Sequence, residues 1–160
     1  MKNVNLRNAT TLLFFGSLIF LYSCGGGSKE SASDAPPPTS MVEKEVSDDP
    51  MMNKGIGPVT SMVIEEEINA QLAAEGAEIY TQMCTACHKA DEKYIGPAPK
   101  DILKRRSPEW VMNMILNPTE MIEKDPIAKK LLIEYNGAPM ANQNLTEDQA
   151  RAVLEYFRTL

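Results

Sequence analysis

The chain has 160 residues, 16 basic and 22 acidic side chains and a formal charge of −6, with three cysteines and one histidine. One domain of ordinary size fits, and a large core does not. The acidic balance argues against a nucleic-acid partner, and a Ser-His-Asp site, a His-rich metal site and a four-ligand Cys/His zinc site would all compete for the single His88.

The chain opens with Lys2 and Arg7 and no acid, followed by the apolar run Thr11 to Leu21. A membrane-spanning helix needs roughly 20 apolar residues. A basic flank with a shorter apolar run reads as an export signal over residues 1–23. The run ends in Leu21-Tyr22-Ser23-Cys24, which resembles the lipobox of bacterial lipoproteins. That resemblance implies lipidation of Cys24 and attachment to a membrane surface. Cleavage before Cys24 leaves 14 basic and 22 acidic residues, a net charge of −8.

Residues 24–61 are rich in Gly, Ser, Pro and acids and show no apolar period. Such a stretch cannot bury enough surface to offset its ordering entropy. It reads as a disordered tether with a span of roughly 35 Å, stiffened at Pro36-Pro37-Pro38.

Residues 62–160 carry helical signals. Glu65-Glu66-Glu67 is expected to open a helix by the dipole rule. Ile68, Leu72, Gly76, Ile79, Tyr80 and Met83 follow on one face. Gly76 on a packed face points to close approach of another helix. Ser107-Pro108-Glu109 is an N-cap, N1 and first-turn acid in series, opening a helix with Trp110, Met114 and Ile115 that stops near Asn117-Pro118. Asp125-Pro126 repeats the device and opens Ile127 to Tyr135, which Asn136-Gly137 ends. Thr146 to Gln149 is a capping box whose helix presents Ala150, Val153, Leu154 and Phe157. No segment reads as a strand, so the domain is expected to be all-α, with four or so short helices. Its few aromatics suggest that something else fills the core.

Cys84-Thr85-Ala86-Cys87-His88 has the spacing of c-type haem attachment. Thiols at i and i+3 can reach two vinyl groups on one porphyrin edge, and the next residue can bring its imidazole to the iron. Three other readings compete. A structural zinc site needs four ligands, and only three are present here. A thioredoxin-like redox site calls for a βαβ context. A plain disulfide would leave His88 unexplained.

From about Gly76 to Leu160 the chain resembles a class I monohaem cytochrome c of the small bacterial kind. The resemblance rests on Gly76 and Tyr80 before the first haem cysteine, on Tyr156 and Phe157 in the last helix, and on Ile95-Gly96-Pro97-Ala98-Pro99-Lys100-Asp101. It also rests on Met140 after Gly137-Ala138-Pro139. It implies a cytochrome c fold around one covalent haem c held by Cys84 and Cys87. It further implies axial ligation by His88 and Met140, with the second ring nitrogen of His88 donating to the carbonyl of Pro97. Met112 and Met114 read as core residues, and Met121, expected in a loop, is the rival ligand. Trp110 reads as a core aromatic over the haem edge, or as an indole donor to a propionate. Arg105 and Arg106 are further propionate candidates, and Asn142 or Gln143 could bond the ligand sulfur.

A six-coordinate iron leaves no place for substrate. The expected function is therefore electron transfer between an upstream reductase or quinol-oxidising complex and a terminal reductase or oxidase, rather than catalysis. A haem enzyme or gas sensor with a labile sixth ligand is the alternative. Arg105 to Met121 also resembles lipoprotein cytochromes that accompany nitrous-oxide reductase, which implies such a reductase as partner. Residues 24–76 hold 3 basic and 10 acidic side chains and residues 77–160 hold 11 and 12. The negative charge therefore belongs to the tether and the first helix rather than to the haem domain.

Overall fold

A computed structural model describes residues 47–160. The export signal, Cys24 and most of the tether lie outside the described residues. The described chain forms α1 (Ala70–Met83), a 3-10 turn (Ile102–Lys104), α2 (Pro108–Leu116), α3 (Pro118–Lys124), α4 (Pro126–Glu134) and α5 (Glu147–Phe157). No strand occurs among the described residues, as expected from the sequence pattern.

Three caps form as read. The Ser107 hydroxyl accepts the Trp110 N–H, Asp125 Oδ1 accepts the Ala128 N–H, and Thr146 and Gln149 exchange both bonds of the capping box. Asn136 stands at φ 58° and closes α4, with its N–H on Ile133 O and the Gly137 N–H on Leu132 O. This is the Schellman pattern.

One helix start differs from expectation, and one helix was not foreseen. Glu65–Glu67 precede α1 instead of opening it, and Asn69 is the N-cap through its bond from the Leu72 N–H. The carbonyls of the three acids accept hydrogen bonds from the Arg158 guanidinium. The buried face of α1 is then Ala73, Gly76 and Tyr80, while Ile68 is exposed. Helix α2 stops at Leu116, before Asn117-Pro118, as expected. Pro118 then starts the unforeseen α3, because proline at N1 has no bond to lose.

The larger correction concerns the tether. Its expected end at residue 61 is wrong, because residues 49–64 form a strap packed on α2 and α3. Asn53 and Val59 are 1% and 5% exposed. The buried Asn113 amide donates to the carbonyls of Lys54 and Val59 and accepts the Val59 N–H. The Lys54 ammonium pairs with Glu109 at 3.0 Å. The strap covers the polar side of α2, so that Glu109, Val111, Met112 and Asn113 are buried along with Trp110 and Ile115. Apolar periodicity is blind to such a segment, because side-chain amides and one ion pair dock much of it.

Helices α1 and α5 cross at Gly76, where a Cβ would lie 1.9 Å from the Ala152 carbonyl oxygen. Tyr80 packs on Tyr156 and Phe157 with ring centroids 5.3 and 5.8 Å apart, as the resemblance implied. Beyond the expected stripe, α5 also buries Ala152 and Glu155, because α1 covers this second face.

The Glu155 carboxylate accepts from the Asn69 N–H, Arg151 and Arg158. Burial alone would push its pKa up. The hydrogen bonds from Arg151 and Asn69, with the charges of both arginines, outweigh burial and hold it below the ordinary Glu value. A depressed carboxyl stabilises the fold above its unfolded pKa and loses that contribution as pH falls through the folded value. Glu155→Ala is therefore expected to cost about 2–3 kcal/mol at neutral pH, since three donors lose their acceptor. In urea unfolding, the gap between variant and parent should narrow as pH drops below about 4.3. A gap that is constant with pH would refute the ionic account.

Candidate haem site

Helix α1 ends at Cys84, and the chain turns at once. The N–H groups of Cys87 and His88 both donate to Cys84 O at 3.0 and 2.9 Å. This tight turn places Cys84, Cys87 and His88 on the wall of one cleft. The following loop folds back, with the Gly96 N–H on Cys87 O at 2.8 Å. A Cβ on Gly96 would stand 2.4 Å from His88 Cε1, so only glycine allows the loop to lie against the imidazole. His88 Nδ1 sits 2.8 Å from Pro97 O. A carbonyl can only accept, so Nδ1 carries the proton and Nε2 keeps its lone pair for a metal. The Tyr80 hydroxyl donates to His88 O at 3.1 Å. Burial, with Cys84 and Tyr156 nearby, pushes its pKa up to about 12, so it remains a donor.

The cleft has a volume of about 210 Å³ and opens to solvent. One wall is the Cys-x-x-Cys-His turn with Pro97. Met140 and Gln143 line the cleft too, and α2 supplies Trp110 and Met114. Arg105 and Arg106 also line it. The structure thus brings together Cys84, Cys87, His88, Pro97, Trp110, Arg105, Arg106, Met140 and Gln143. Met112 and Met121 do not line the cleft. Met121 is fully buried in α3, where its sulfur receives the Ile56 N–H of the strap. Its expected place in a loop is therefore wrong, and it is no rival ligand. Asn142 instead accepts the Asn144 N–H within its own turn.

Of the two readings of Trp110, the core aromatic fits and the propionate donor does not. Its indole N–H donates to Asp125 Oδ1 at 3.1 Å, so the ring lines the cleft while its donor is already engaged. Arg105 is tied to the carbonyls of Ala98 and Lys100. Arg106 stacks over the Trp110 ring at 5.3 Å, and its buried Nε has no partner. Burial and the neighbouring Arg105 lower its pKa. An unpaired buried guanidinium N–H on a cleft wall calls for an acceptor.

The cysteines themselves discriminate between the chemistries. Both are free thiols, which removes the plain disulfide. Burial, and then Cys87, pushes the Cys84 pKa up to about 11, the reverse of what a thioredoxin-like nucleophile requires. Among the described residues no three His, Cys, Asp or Glu side chains converge to hold a metal ion, so the zinc reading lacks its ligand set. A neutral thiol pair on the wall of an apolar cleft, an imidazole with a fixed tautomer and an orphaned guanidinium N–H do fit a haem.

Residues 73–160 match the Cytochrome c family. The chain belongs to the cytochrome c family. Three solved structures are similar to it. A cytochrome c from Rhodothermus marinus is 48% identical, with a TM-score of 0.62, over 64% of this chain and 88% of that one. The engineered cytochrome c Rma TDE from the same organism is 47% identical, with a TM-score of 0.62, over 64% and 89%. The same engineered protein bound to a carbene intermediate matches at 47% identity and a TM-score of 0.60, over 64% and 88%. No curated protein matches this chain. The cofactor is a single covalent haem c, and the protein is a haem-based electron-transfer protein.

Sequence reasoning missed Asn53, Asn113, Asp125 as a side-chain hub, and Glu155. Asn113 had a visible signal, a poor helix former in the middle of an apolar helix. Asn53 had none.

Proposed function

We propose that this cytochrome c is a membrane-anchored carrier of single electrons and not an enzyme. Cys84 and Cys87 would hold the haem as thioethers, and His88 Nε2 and the Met140 sulfur would ligate its iron. The observation that carries this reading is the cleft itself, lined by both the fixed His88 imidazole and Met140. Bound haem supplies the one-electron exchange at iron. The Pro97 carbonyl orients His88 and raises its basicity, and thioether ligation raises the reduction potential.

Lipidation of Cys24 would hold the domain on a bacterial membrane facing the periplasm or cell exterior, with the chain up to the strap as its tether. No described helix is long and apolar enough to cross a membrane. The partners are an upstream reductase or quinol-oxidising complex and a terminal reductase or oxidase, nitrous-oxide reductase among them. A second reading, a haem enzyme or gas sensor, draws on the engineered relative that carries a carbene intermediate.

One preparation tests both parts. In membranes from cells making the full chain, the haem protein should sediment with the bilayer, and Cys24→Ser should release it to the soluble fraction. Carbon monoxide added to the reduced protein at neutral pH should leave its spectrum nearly unchanged. Full carbon monoxide binding would favour the second reading, and sedimentation of Cys24→Ser would remove the lipid anchor.

A further inference from the structure

We propose that Asn53 and Asp125 form a positioning clamp for Trp110, through which the strap upstream of the family domain helps to set the haem reduction potential. The proposal rests on the cytochrome c assignment and is independent of the membrane anchor and of the sixth ligand.

Asp125 is fully buried at the junction of α3 and α4. Its Oδ1 accepts the Trp110 indole N–H at 3.1 Å and the Ala128 N–H at 2.8 Å, and its Oδ2 accepts the Asn53 amide at 2.7 Å. All three partners are donors, the pattern of a carboxylate. Asn53 is itself held on three sides. Its Oδ1 accepts the Gly55 N–H, its carbonyl accepts the Ser107 hydroxyl, and its amide reaches Asp125. Gly55, at φ +71°, lies so close to Trp110 that a Cβ would sit 3.3 Å from the indole Cδ1. The indole is therefore fixed by Asp125 at its nitrogen, by the strap at its edge and by Arg106 over its face.

Trp110 lines the haem cleft, so a buried carboxylate stands one hydrogen bond behind the cofactor wall. In a low-dielectric interior a negative charge there favours the more positive ferric state, and the Arg106 guanidinium on the same wall opposes it. The Asn53 amide partly neutralises the carboxylate. Asn53 precedes the family match, which begins at residue 73. The strap thus contributes to the cofactor pocket as well as to stability.

The test uses the full-length haem-loaded protein and two readouts. One is the midpoint potential. The other is hydrogen exchange at the indole N–H, which gives a single signal because Trp110 is the only tryptophan. Asp125→Asn removes the charge, and the reduced-to-oxidised ratio at fixed ambient potential should rise about tenfold, or 59 mV for one electron. Asn53→Ala leaves the carboxylate less neutralised. The ratio should fall about twofold, and indole exchange should quicken about tenfold. Opposite signs are the signature, because a merely structural loss would move both variants in the same direction. Shifts of the same sign, or an Asn53→Ala protein with parental potential and exchange, would overturn the proposal. If Asp125→Asn does not fold, Asn53→Ala decides by the same two readouts.

Discussion

Replacing Gly76 with alanine is expected to destabilise the domain by about 3 kcal/mol or more, although alanine is the better helix former by about 1 kcal/mol. The reason is local and steric. The new Cβ would stand 1.9 Å from the Ala152 carbonyl oxygen and 2.4 Å from the Ala152 carbonyl carbon. Both atoms belong to the backbone of α5, so no flexible side chain can yield, and the two helices must separate. Separation also loosens Tyr80 from Tyr156 and Phe157 and displaces the end of α1 that carries Cys84. Ala74→Gly, at an exposed position of the same helix, is the control and should cost only about 1 kcal/mol. Urea unfolding of the holoprotein, followed by far-UV circular dichroism, measures both. Equal losses in the two variants would show that helix propensity, and not the crossing, governs this site.

Met140→Ala should have the largest effect on the cofactor. The weak charge-transfer band at the red end of the ferric spectrum should vanish, and the midpoint potential should fall, because the soft sulfur no longer favours ferrous iron. The apparent affinity of the reduced protein for carbon monoxide should rise by about tenfold or more, since the open form is no longer a minor population. Met121→Leu should leave the spectrum untouched and cost less than about 1.5 kcal/mol in packing. Met121 lies in α3, fully buried and away from the cleft. If the band survives Met140→Ala, the sulfur comes from another cleft residue, and Met83 and Met114 are the methionines to replace next.

Much of this site was legible in the sequence because its signals are local. The Cys-x-x-Cys-His string lies within one turn of chain. The caps at Ser107, Asp125 and Thr146 are short-range hydrogen bonds written into three or four adjacent residues. Gly76 on an apolar face foretold a helix crossing, and the α5 stripe foretold most of the buried residues. Where expectation failed, the deciding partner was far along the chain. Glu65–Glu67 satisfy the dipole rule for a helix start, yet their carbonyls serve Arg158, more than 90 residues away. Asn117-Pro118 stops α2 as read, but the new start at Pro118 went unseen, and its Met121 packs into the core. The propionate reading of the Trp110 indole fails because Asp125, 15 positions on, takes its N–H.

By itself the sequence determined the helical class and the haem attachment turn, because both are written in short-range patterns. Pro97 as the partner of His88 and Met140 as its counterpart came from the resemblance to cytochromes c. Tertiary structure alone decided that the acidic segment is not all tether. Its last part has no regular apolar period to announce burial, although Val59 enters the core and Ile56, Met62 and Ile64 pack against it, and its amides find donors and acceptors only once α2 and α3 are in place. The charge difference between the two halves of the mature chain therefore stands, but the boundary between tether and domain lies before residue 53.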